Sequence, residues 1–329
     1  SIQARPCFLC ETNRPPQQRG IPFDDQFTVL VNPYPVFSRH LTIVSRAHVE
    51  QKIMNNFGRM LSIAAALPDY VVFYNGPQCG ASAPDHLHFQ AVSKGYMPLE
   101  KDYESQLFTR RVLSGPGYEM LYWAGYLRGI ITLKGREKKI LEDLFESVYE
   151  KLTLFIIKKA EPGCGTESQS GTESQSGTES QSGTESQSGT EPQSGTEPQS
   201  GTEPQSRNKI SPGSPFRNNE HDSHFLNLTN SLGQFRNSGA EPMMNILVYC
   251  SGETLIVHLI PRKQHRPRQF YAAGRDKITI SPASVDLGGL VITPREKDFF
   301  KVTENDIADI FMQVCLQEEE LYRIINKLK

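Results

Sequence analysis

The strand-like run Tyr70-Val-Val-Phe-Tyr74, the loop Asn75-Gly-Pro-Gln-Cys-Gly-Ala-Ser-Ala-Pro-Asp85 and the segment His86-Leu-His-Phe-Gln-Ala91 decide how this chain is read. Two runs with strand character flank a stretch punctuated by Gly and Pro, which is the pattern of strand, loop, strand. If 86–91 is a strand, its period of two puts His86, His88 and Gln90 on one face and Leu87, Phe89 and Ala91 on the other. The apolar set faces a core. The polar set can act together on one phosphate, with an imidazole as nucleophile, a neighbour that fixes its tautomer, and an amide that donates to an oxygen. Glycines in the loop permit close backbone approach, and the loop has donors suited to an oxyanion. An exposed strand face whose histidines merely alternate has the same spacing.

Outward from this stretch, Phe27–Val31 and His40–Val44 read as short strands separated by the turn Asn32-Pro-Tyr-Pro35, an antiparallel pair. Between Val49 and Leu67 the residues Ile53, Phe57, Met60, Leu61, Ala64 and Leu67 recur at helical spacing, and Pro68 ends the run. Residues 1–100 therefore read as an α+β half carrying the chemistry. Residues 101–160 read as a connecting helical segment, because Leu141, Leu144, Phe145, Val148 and Leu152 form an apolar stripe. From Gly165 to Ser206 the hexapeptide Gly-Thr-Glu-Ser-Gln-Ser occurs four times and Gly-Thr-Glu-Pro-Gln-Ser three times. No side chain in it can build a core, so 161–218 is expected to be a disordered, acidic linker. Residues 219–329 read as a second half, with a hairpin of Met244–Tyr249 and Thr254–Ile260 and a terminal amphipathic helix from Glu304 to Lys329. The expected fold is α+β, an antiparallel sheet with packing helices in two related halves.

The chain has 329 residues with 35 basic and 37 acidic side chains, a formal net charge of −2, so no strong field recruits nucleic acid or an anionic membrane. No run approaches the roughly 18 apolar residues needed to cross a bilayer, and no charged-then-apolar leader opens the chain, so a cytoplasmic protein is expected. Six cysteines scattered over this length suit reduced thiols rather than a disulfide framework. Cys7-Phe-Leu-Cys10 has the spacing of half a tetrahedral zinc site. Pro261-Arg-Lys-Gln-His-Arg-Pro-Arg268 is a compact basic run that either lies solvated at the surface or meets phosphates, with Arg262 as a candidate contact. It lacks interleaved aromatics, which argues against a nucleic-acid role.

The string from Asn75 through His86-Leu-His-Phe-Gln-Ala91 resembles the active-site segment of the histidine-triad superfamily, in its transferase and phosphorylase branch. That branch includes galactose-1-phosphate uridylyltransferase, diadenosine tetraphosphate phosphorylase and the GDP-hexose phosphorylases, such as GDP-L-galactose phosphorylase. The last group is also similar over Ile280-Ser-Pro-Ala-Ser-Val-Asp-Leu-Gly-Gly-Leu-Val-Ile-Thr-Pro-Arg-Glu-Lys-Asp298. The resemblance implies nucleotidyl transfer through a covalent nucleotidyl-histidine, with His88 as nucleophile, Gln90 on the transferring phosphoryl group, and Asn75, Gly80 and Ser82 in the phosphate loop. Asn32 resembles a position near the nucleotide, and a turn-forming Asn is the alternative there. Cys7, Cys10, His48 and His86 resemble the ligands of a structural zinc. The alternative is two buried thiols, with His86 orienting His88 by hydrogen bonding. A nucleoside-diphosphate sugar is the implied substrate, GDP-hexose favoured, releasing sugar 1-phosphate to phosphate or a second sugar phosphate as acceptor. No organic cofactor is implied, and a homodimer is compatible with the reading. Hydrolases of the superfamily carry a third histidine where this chain has Gln90, which favours transfer. The alternatives are a dinucleoside-polyphosphate phosphorylase or hydrolase using the same histidine, and a non-catalytic nucleotide-binding protein.

Overall fold

The computed structural model describes residues 6–160 and 241–328. The hexapeptide run, the expected linker at 161–218 and the start of the expected second half at 219–240 lie outside the described residues.

Ten strands pair antiparallel in one sheet, in the order β1-β2-β3-β5-β4-β9-β10-β8-β7-β6. They are β1 (Gly20–Pro22), β2 (Phe27–Val31), β3 (Leu41–Ser45), β4 (Tyr70–Asn75), β5 (His88–Ser93), β6 (Thr109–Gly115), β7 (Tyr118–Trp123), β8 (Ile131–Gly135), β9 (Met244–Ser251) and β10 (Thr254–Pro261). Helix α1 (Phe57–Ala66) connects β3 to β4, α2 (Pro98–Ser105) follows β5, and α3 (Lys138–Ala160) follows β8. The fold is α+β, as expected. The strand order reads β1-β2-β3-β5-β4 and then the mirror of β6-β7-β8-β10-β9, so the two halves share one plan and meet at β4 and β9. There Val72, Phe73, Tyr74 and Asn75 face Val248, Leu247, Ile246 and Asn245.

Two expectations are corrected by this topology. Residues 101–160 are not only a helical connection: β6, β7 and β8 precede α3 and open the second half, which therefore begins near Thr109 rather than at 219. The strand signal is present in Val112, Tyr118, Met120, Tyr122, Trp123 and Ile130-Ile-Thr132, with a turn at Gly115-Pro-Gly117 whose last residue has φ 79. The stronger stripe of α3 masks it. The terminal helix is broken into Glu304–Val314 and Glu318–Ile325. Between them Cys315 and Leu316 are extended, because Cys315 bridges Arg262, the Leu316 N–H donates to the Pro261 carbonyl at 3.0 Å, and its carbonyl accepts from Gly129 at 2.8 Å. Partners on the sheet outcompete the next helical turn.

One sheet face carries the main core. Helix α1 ends where Pro68 disfavours helical geometry at Leu67, and it buries Phe57, Met60, Leu61, Ile63 and Ala64. Phe145 of α3 stacks on Phe57 with ring centroids 4.0 Å apart. Leu87, Phe89 and Ala91 point into this layer, so His88 and Gln90 project from the opposite face. That second face is covered in part by Met97, Leu99 and Tyr103 around α2 and by Ile278, Ile280, Leu287, Ile310 and Phe311 from the chain after β10. No helix among the described residues is long and apolar enough to cross a membrane.

His258 of β10 is wholly buried in the second layer, its Nδ1 2.9 Å from Thr132 Oγ1 and its Nε2 3.3 Å from Tyr249 Oη. Burial pushes its imidazole down to about 3. The unfolded chain takes up this proton as pH falls through about 6.5 and the folded chain does not until near the depressed value, so stability is lost progressively below 6.5. Buried Glu241 and Asp286, pushed up to about 7 and about 6, act in the opposite sense as pH rises. A difference between variants isolates the histidine. In urea unfolding from pH 7 to pH 4, His258→Phe is expected to lose stability less steeply than wild type, by up to about 1.4 kcal/mol per pH unit. Parallel pH profiles would refute the assignment.

Candidate active site

His88 opens β5 with its ring 2% exposed. Its Nδ1 lies 2.8 Å from the carbonyl oxygen of His86, which can only accept, so Nδ1 carries the proton and the lone pair sits on Nε2. Nε2 is buried and has no hydrogen-bond partner among the described residues. An unsatisfied buried polar atom costs about 1–3 kcal/mol and is retained where something else is to use it. Burial also pushes the imidazole down to about 4, so the ring is neutral and its lone pair free across the neutral range. The arrangement is that of a nucleophile held in one tautomer.

The backbone of His88 is clamped by Gln51, which is fully buried and which sequence reading did not single out. Gln51 Oε1 accepts from the His88 N–H at 2.8 Å, and Nε2 donates to the carbonyls of His88 at 2.9 Å and Asn75 at 3.0 Å. One amide thus ties the start of β5 to the end of β4. Gln51→Leu leaves these three backbone groups unpaired and is expected to cost about 3 kcal/mol or more in urea unfolding. A loss under about 0.5 kcal/mol, the range of ordinary surface changes, would show that the clamp is idle.

Gln90 follows on the same face, its Oε1 2.8 Å from Nε2 of His40, a buried residue at the entrance to β3 that was also not singled out. Register sets Gln90 opposite Thr42 in β3 and His258 opposite Thr132 in β8, so in each half a polar side chain faces a threonine across the corresponding strand pair. In the second half the space around His258 is filled: Trp123 Nε1 donates to Thr132 Oγ1 at 2.9 Å, and the rings of Tyr103, Trp123 and Tyr249 pack around His258.

Cys7, Cys10, His48 and His86 each present a ligand atom, and these atoms all lie within 4.8 Å of one another. The separations from Sγ to Nδ1 are 3.3 Å for Cys7 to His86, 3.2 Å for Cys10 to His48 and 3.6 Å for Cys10 to His86. A tetrahedral site with metal bonds of roughly 2.3 Å to sulfur and 2.0 Å to nitrogen requires about 3.5 Å between such atoms. His86 Nε2 donates to the Ser45 carbonyl at 2.7 Å, which leaves Nδ1 as the unprotonated ligand, and burial lowers the ring further from protonation. His48 Nε2 lies 3.7 Å from Asp85 Oδ2. The cluster can hold a metal ion. His86 therefore does not share the outward face of His88: it turns back to the Cys pair while its carbonyl holds the His88 proton.

The expected binding residues are placed differently from one another. Gly80, at φ 96, is needed twice, because a Cβ there would lie 2.6 Å from that of Ala283. Ser82 is exposed beside it. Asn75 is buried, and its Oδ1 accepts from Asn245 Nδ2 at 2.8 Å and from the Ser284 N–H at 2.9 Å, so it joins the loop to β9 and to the segment 280–298. Asn32 Oδ1 accepts from the Tyr34 N–H at 2.9 Å, which is a turn. Arg262 is not a free cation. It is 3% exposed, and its guanidinium donates to Asn245 Oδ1 and to the carbonyls of Val314, Pro282, Gln264 and His265. A basic run carries no signal of burial, and although Gln264 and His265 are local, the Val314 and Pro282 carbonyls that also claim Arg262 lie 52 and 20 residues away.

Residues 239–329 match a family model described as GDPGP1-like, C-terminal domain, and residues 1–93 match one described as a domain of unknown function, DUF4922. No curated protein matches the chain. Among solved structures, yeast Ap4A phosphorylase Apa2 is 13% identical at a TM-score of 0.45, over 90% of this chain and 74% of that one. An ADP-glucose phosphorylase from Arabidopsis thaliana is 13% identical at a TM-score of 0.37, over 95% and 94% of the two chains. A uridylyltransferase is 11% identical at a TM-score of 0.39, over 99% and 93%. The GDPGP1-like match over residues 239–329 agrees with the resemblance to the GDP-hexose phosphorylases over Ile280–Asp298.

Proposed function

We propose that the protein is a nucleotidyltransferase or phosphorylase that acts on a nucleoside-diphosphate sugar, GDP-hexose favoured, through a nucleotidyl-His88 intermediate. The observation that carries this reading is the unpartnered Nε2 of His88 beside a proton fixed on Nδ1. In the first step the Nε2 lone pair forms a bond to the α-phosphorus, and the bond from that phosphorus to the bridging oxygen breaks. The electron pair leaves with the sugar 1-phosphate. The imidazole becomes cationic, and its Nδ1–H bond to the His86 carbonyl strengthens as charge develops. In the second step an oxygen of inorganic phosphate, or of a second sugar phosphate, bonds to the same phosphorus, the P–N bond breaks and neutral His88 is restored. Gln90 donates to a phosphoryl oxygen in both steps, and the loop of Asn75, Gly80 and Ser82 borders the phosphates.

Cys7, Cys10, His48 and His86 would hold a zinc ion whose role is to fix the approach to β5. No organic cofactor is needed for this chemistry, and a cytoplasmic setting agrees with the free thiols of Cys7, Cys10, Cys79, Cys250 and Cys315. Incubation with a panel of nucleotide sugars and dinucleotides, with and without phosphate, followed by chromatography, is expected to show phosphate-dependent release of a sugar 1-phosphate. Turnover that needs only water, or none with any nucleotide sugar, would overturn the assignment.

A further inference from the structure

We propose that His40 is the positioning residue that fixes which way the Gln90 carboxamide faces, so that Gln90 meets a phosphate with its N–H groups and not with its oxygen. The inference rests on the role given to Gln90 above. An amide side chain has a donor and an acceptor of nearly equal size, and nothing in the sequence orients it.

The orientation comes from the loop between β2 and β3. The Asn32 N–H donates to the His40 carbonyl at 2.9 Å and closes the loop, and Arg39 turns the chain at φ 88, a left-handed value uncommon for any residue but glycine. His40 is thereby buried, its ring edge-on to Phe37 and tilted on Phe73. The Val36 N–H reaches His40 Nδ1 at 3.3 Å, and a backbone N–H can only donate. Nδ1 must therefore be the lone pair, and in a neutral ring the proton is on Nε2. Burial lowers the ring's proton affinity, so it stays neutral.

Nε2–H then has Gln90 Oε1 as its acceptor at 2.8 Å. Asn32 Nδ2 lies 3.5 Å from the same nitrogen, but it has a better acceptor in Thr42 Oγ1 at 3.1 Å. With Oε1 taken, the amide nitrogen of Gln90 is left to donate to a ligand. A flipped amide would bring its oxygen against an anionic phosphoryl group and its N–H against the N–H of His40.

Two arms test this. In a long-range proton–nitrogen spectrum of protein with labelled histidine, His40 is expected to show a protonated Nε2 and a bare Nδ1 near neutral pH, and a proton on Nδ1 would overturn the proposal. In the second arm, His40→Phe is expected to lower kcat more than KM rises, with a total loss on the order of 10- to 100-fold, below the 10²–10³-fold of losing a transition-state donor outright. His40→Gln, whose amide nitrogen takes the place of Nε2, is expected to recover most of it. In a Gln90→Ala background the same His40 changes are expected to do nothing further, whereas an additional equal loss would show that His40 acts elsewhere. Absence of turnover in the wild type would count against the transferase reading alone, and the spectrum would still decide His40.

Discussion

His88→Ala and His88→Asn are expected to lower nucleotidyl transfer by about 10⁴-fold or more, the scale of removing a catalytic nucleophile, while nucleotide binding stays within a few-fold. Asn is the sharper test. Its amide nitrogen falls near the place of Nδ1 and can still donate to the His86 carbonyl, so the local bond survives and only the nucleophilic nitrogen is lost. Wild-type protein mixed with a nucleotide sugar labelled at the α-phosphate is expected to retain label in an acid-labile, base-stable linkage, as for phosphorus bound to imidazole nitrogen. Double-displacement kinetics accompany such an intermediate. The same label on His88→Asn, or normal turnover by it, would place the chemistry at another residue.

Loss of the metal is the second large effect. The purified protein is expected to contain about one zinc per chain, and Cys7→Ser or exhaustive chelation is expected to remove it. The ion would tie the N-terminal turn to the chain on both sides of the catalytic loop, since its ligands lie at Cys7, Cys10, His48 and His86. A structural site of this kind contributes several kcal/mol, so Tm is expected to fall by roughly 10 °C. Transfer is expected to fall with it, because the His86 backbone that holds the His88 tautomer is anchored by the same ligand. Metal analysis finding none after chelator-free purification, together with a Cys7→Ser protein that melts like wild type, would leave Cys7 and Cys10 as plain thiols.

Much of the first half was legible because its signals are local. A period of two placed Leu87, Phe89 and Ala91 in the core and His88 and Gln90 opposite them, and Phe27–Val31 forms β2 with the expected bounds. The four candidate metal ligands could be named from spacing and resemblance, and their ligand atoms lie within 4.8 Å of one another. Arg262 could not be read correctly, because its burial depends on the carbonyls of Pro282 and Val314, which lie in other parts of the chain. Asn75 was expected beside phosphates, and its oxygen is engaged by Asn245 and Ser284 from the second half.

The sequence by itself determined the class of fold, the alternation that sets His88 and Gln90 opposite the main core, and the Cys7–Cys10 pair, since each follows from the spacing of residues along one strand or turn, while His48 and His86 came from the resemblance. Only the tertiary structure decided where the second half begins, that His86 faces the Cys pair while its carbonyl meets His88 Nδ1, and that Gln51 holds the backbone of His88 and His40 meets the carboxamide of Gln90. The support of His88 and Gln90 rests on hydrogen bonds between residues 37 and 50 positions apart, and the turn of His86 toward the Cys pair on contacts between residues 76 and 79 positions apart. A hydrogen bond between residues far apart in the chain is set by distance and direction in space, and neither leaves a period in the sequence.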